Sequence, residues 1–149
     1  MFNPPQGWNY ADVKQLPPSV KVMVVGKGKT AYPPSINLGM EKYAGSLKSY
    51  LKIVKGINEK QKADWKDLGT VETQAGPASL SQVDMRTKWG DVRLMHVILV
   101  HDGYAYIMTA AALRDEFPEY YKDMFAAMRS LRFGPAPAEG TSAETQLKK

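Results

Sequence analysis

A chain of 149 residues with 20 Lys and Arg against 15 Asp and Glu, 44% hydrophobic and 23% charged residues has the proportions of one ordinary globular domain. A domain of this size buries about 68–70% of its unfolded-chain surface, so it needs no metal, disulfide or cofactor to fold. The absence of cysteine excludes thiol nucleophiles, iron–sulfur clusters and cysteine zinc sites, and no apolar run approaches the roughly 20 residues that span a bilayer.

Charge is unevenly spread: residues 1–75 carry 11 Lys, no Arg and 6 acids, whereas residues 76–149 are balanced. A basic first half favours encounter with acidic proteins, nucleic acid or anionic lipid.

Phe2 to Pro18, with four prolines and Gly7, reads as an irregular lead-in with at most a short edge strand, anchored by Trp8 and Tyr10. Val20–Val25 and Ser35–Met40 are strand candidates separated by a loop. Tyr43, Leu47, Tyr50, Leu51 and Val54 fall on one face of a helix over roughly 45–55, which Gly56 would end. Lys48, Lys52 and Lys55 lie on its other side. After a polar connection, Leu68–Gln74 and Leu80–Thr87 read as strands separated by Gly76 and Pro77.

The sharpest local signal is Asp102-Gly103 between two apolar β runs spanning Val92 to Ala111, the preferred pair for a type I′ hairpin. Such a turn pairs His101 with Tyr104, Leu99 with Tyr106, Val97 with Met108 and Met95 with Ala110. Both faces of the hairpin are largely apolar, so each requires a cover. A stripe from Phe117 through Tyr120, Met124, Met128 and Leu131 predicts a helix over about 115–131 for one face. The earlier helix suits the other. The expectation is an α/β/α sandwich with a central, mainly antiparallel sheet, one domain over residues 2–133, and a flexible tail over 134–149.

Several short strings are similar to the PsbP-like and DcrB-like superfamily. They are Pro5, Gly7 and Trp8, then Ser35-Ile36-Asn37-Leu38 before Ser46-Leu47 and Tyr50-Leu51, and finally Asp102 to Ala110, Glu116-Phe117 and Ser130 to Phe133. The resemblance covers nearly the whole domain and implies a fold more than a function. It implies a bacterial, mostly non-enzymatic kind of protein that docks a protein partner, in some relatives as an exported lipoprotein. The compartment it implies is periplasmic or exported if an export segment precedes Met1, and cytoplasmic otherwise.

His96, His101 and Asp102 form the one constellation in which acid–base or metal chemistry would begin. Five residues apart on one strand, the two imidazoles point to opposite faces and cannot share a metal. Gly26-Lys27-Gly28-Lys29-Thr30 ends like a phosphate-binding loop, but Met23 stands where the first glycine belongs and Pro33-Pro34 where a helix should begin. No catalytic residue, metal or cofactor is therefore expected. The candidate partner-binding residues are Trp8, Tyr10, Trp65 and Trp89, since loop aromatics anchor interfaces. The candidate anion-binding residues are Lys48, Lys52 and Lys55, for anionic membrane or nucleic acid.

Overall fold

The fold is given by a computed structural model that describes residues 1–28 and 31–133. Asp102 and Gly103 both take positive φ, 52° and 83°, and close a two-residue turn between β6 (Gly90–His101) and β7 (Tyr104–Leu113). The pairing runs from His101 opposite Tyr104 to Val92 opposite Leu113, in the register that the turn dictates. Around this hairpin lie β1 (Asn9–Tyr10), β2 (Val20–Val25), β3 (Ser35–Lys42), β4 (Asp64–Thr73) and β5 (Gly76–Thr87). The seven strands form one antiparallel sheet in the order β1-β2-β3-β7-β6-β5-β4.

Alternation along the strands sorts the core into two clusters. Met95, Val97 and Leu99 of β6, with Met108 of β7 and Ile36 and Leu38 of β3, pack with Phe117, Met124 and Met128 of α2 (Phe117–Arg129) and with Leu131. The interleaved Ile98 and Ala105, with Val100 and Ile107, pack with Tyr50, Leu47, Leu51 and Val54 of α1 (Leu47–Lys60). Ser46 caps α1 by accepting the Ser49 amide at 3.1 Å. Pro118 sits in the first turn of α2, where an amide has no intrahelical partner.

Two elements extend beyond their sequence signals. Gly56 does not end α1, which continues to Lys60 before Lys62 takes a positive φ of 56°. The expected polar connection is short, because β4 begins at Asp64 and places Trp65 on a strand. Gly76 and Pro77 open β5 instead of separating it from β4. Just past the end of α2, Met1 lies against Arg132. The Met1 ammonium donates to the Arg132 carbonyl at 3.0 Å and the Arg132 amide to the Met1 carbonyl at 2.8 Å, while Phe2 is buried. The tail expected over 134–149 lies outside the described residues.

Candidate functional site

The β5–β6 turn is built by a threonine. The Thr87 hydroxyl accepts the Trp89 amide at 3.1 Å and donates to the Gly90 carbonyl at 2.9 Å, while Gly90 takes a φ of 121°. The same device, Thr73 with Ala75 and Gly76, closes the β4–β5 turn. At the β5–β6 turn it holds Trp89 out of the core, 48% exposed. Tyr32, from the β2–β3 connection, braces the indole at a ring separation of 5.5 Å, and Lys88 Nζ lies 4.6 Å from the indole ring. Burial pushes the Tyr32 phenol up from its ordinary value. Met85, near the end of β5, is also exposed. An aromatic pair that is braced before binding loses little side-chain entropy on docking.

The four candidate aromatic residues do not share one surface. Trp8 packs against the α2 cluster, edge-on to Tyr120, over Gly26, where a Cβ would stand 2.6 Å from the indole. Tyr10 is exposed on β1, at one edge of the sheet. Trp65 lies at the other edge, on β4, and its buried indole N–H has no partner among the described residues. Lys48, Lys52 and Lys55 are exposed along α1.

The histidines occupy opposite faces. His101 stacks on Phe133 at 4.1 Å on the α2 side. His96 lies on the α1 side, in a row that the sequence reading missed: Ser81, His96, Thr109 and Asn37 stand opposite one another on β5, β6, β7 and β3. Ser81 is buried, and His96, Thr109 and Asn37 are half-buried. Burial lowers the His96 pKa to about 4, so its imidazole is neutral at pH 7. His96 is flanked in register by two hydroxyl residues, Ser81 on β5 and Thr109 on β7. Among the described residues no three His, Asp or Glu side chains converge as a metal site. Of the glycine- and lysine-rich string, Gly26, Lys27 and Gly28 form a loop before Pro33; Lys29 and Thr30 lie outside the described residues.

No family model matches the sequence, and no curated protein does. Solved structures do match in fold. The protein PA94 of Pseudomonas aeruginosa, of unknown function, superposes with a TM-score of 0.65 at 13% identity, covering 87% of this chain and 99% of its own. LpqN of Mycobacterium tuberculosis, involved in cell envelope biogenesis, gives 0.62 at 15% identity over 85% and 78%. The cyanobacterial PsbP (CyanoP) of Synechocystis gives 0.51 at 11% identity over 85% and 81%. These likenesses show a fold shared with PsbP-like proteins.

Proposed function

We propose that this chain is a non-catalytic binding module, a sheet sandwiched between two helices, that docks a protein partner through Trp89 and Tyr32. One observation carries the reading: a half-exposed tryptophan is fixed by a turn hydrogen-bond pair and braced by a second aromatic from another loop. Aromatic anchors of this kind supply most of the energy of many interfaces. The likeness to PsbP-like proteins agrees with a binding role.

The test is crosslinked affinity capture from the cell of origin at low and high salt, with the native chain and with Trp89→Ala. One protein recovered by the native chain at both salts and lost with Trp89→Ala supports the proposal. Removing such an anchor costs about 2 kcal/mol or more, roughly a thirtyfold loss of affinity. Capture that ignores Trp89, or that yields only polyanions released by salt, overturns it.

A further inference from the structure

The two helical layers are held unequally. α2 buries Phe117, Met124, Ala127 and Met128, whereas Tyr50 is the one fully buried residue of α1. The second half of α1, from Ile53 to Lys60, buries none, contains Gly56 and leaves Ile53 and Ile57 half-exposed. Glycine and β-branched residues weaken a helix that packing does not support. Lys48, Lys52 and Lys55 follow one another at spacings of four and three, and like charges so placed repel. A weak helix with few buried contacts opens before the rest of a molecule does. His96 lies on the path of this half. α1 joins the end of β3, where Lys42 pairs with Tyr104, to the start of β4, where Asp64 faces Asp84 and Asp84 faces Arg93. On β6, His96 stands between His101, opposite Tyr104, and Arg93, nearer the second, and it follows Ile98 on the face that packs with α1.

We infer that α1 is an acid-released cover: protonation of His96 lifts the second half of the helix and bares the apolar residues Ile98 and Ile107 beneath it. A neutral imidazole is tolerated under a helix, whereas an imidazolium needs water or a carboxylate. Its neighbours in register, Ser81 and Thr109, are uncharged. The charged groups on that side are Asp67, opposite Ser81, Glu41, which accepts the Tyr50 hydroxyl, and Glu59 and the lysines of α1, and all of them are exposed. Burial is accordingly the one cause that lowers the His96 pKa, from 6.5 to about 4. The cover is therefore closed at neutral pH and loosens as pH falls below about 6.5. The helix yields and the sheet does not, because β6 is bonded to β5 on one side and β7 on the other, while α1 is held by one small cluster.

The test is native-state hydrogen exchange of the full chain at neutral pH and at about pH 4.5, corrected for the intrinsic pH dependence of amide exchange. The amides of Ile53 to Lys60 are expected to exchange ahead of those of β6 and β7 under both conditions. They should open about fiftyfold more often in acid, the factor that a pKa of about 4 closed and 6.5 open dictates. His96→Gln and His96→Leu, two variants of different shape and neither ionisable, should each remove that gain. Glu41→Gln should keep it, which separates the imidazole from the Tyr50–Glu41 bond as the trigger. Opening of α1 that is equal at both pH values, an acid gain that survives the His96 variants or vanishes with Glu41→Gln, or exchange of α1 only together with the sheet would overturn the inference.

Discussion

His96 shows how one buried group couples stability to pH. Its pKa is about 4 in the fold and 6.5 when exposed, because burial penalises the imidazolium. Between these values the unfolded chain takes a proton that the folded chain refuses. The stability from keeping His96 neutral is therefore complete above about pH 6.5 and drains as pH falls towards 4, by roughly 3 kcal/mol in all. His96→Leu, with Ile98 and Leu94 as neighbours along the same face of β6, is expected to flatten this slope. Urea midpoints at neutral pH and at about pH 4.5 should diverge for the native chain and converge for the variant. Asp84 acts in the same direction at lower pH. Arg93 donates to its carboxylate at 2.8 and 3.0 Å and holds its pKa below the usual value.

At the scale of elements, the sequence is most readable where local chemistry decides the structure. Asp102-Gly103 fixes the β6–β7 register by its own backbone preference, so the facing pairs follow from counting. The stripe of α2 is equally plain, because its apolar residues repeat at helical spacing against one cluster. β4 is less legible for a physical reason. As an edge strand it is solvated along much of its length, and a bulge between Asp67 and Gly69 breaks its alternation, so no apolar period marks its first half. Gly56 misleads differently: it has the identity of a helix stop but lies inside α1, where Val54 packs with the Tyr50 cluster and the Asn58 side-chain amide donates back to the Val54 carbonyl at 2.9 Å. A methyl group there would meet nothing within 4 Å. Gly56→Ala should therefore stabilise the protein by about 1 kcal/mol and raise Tm by about 3 °C in a thermal melt. The Thr87 device was hidden too, since the pattern marks Trp89 as a loop residue without showing what braces it. Tyr32, its partner, comes from a connection 57 positions earlier in the chain.

At the scale of the molecule, strand order is what periodicity withholds. Pattern locates β3 and β7 separately, and only the tertiary fold joins Ile36 to Ala110 and Leu38 to Met108 in the middle of the sheet. The two sheet edges are protected in different ways. β1 is two residues long, and β4 carries Lys66, Asp67 and a bulge, which discourage pairing with another chain. The α2 side of the molecule is closed by the first three residues. Phe2 enters the core there, and the Asn3 amide donates to Ser130 Oγ at 2.6 Å. Phe2→Ala is expected to cost about 3 kcal/mol, measured as a lower urea midpoint at an unchanged slope. The clasp also sets how the molecule responds to tension. Met1 and Arg132 are joined by a reciprocal pair of backbone bonds, so a pull that separates these two residues loads that pair first. Tension between these two residues is therefore met by the bond pair before it is felt at Phe2, and the protein yields first at its own seam.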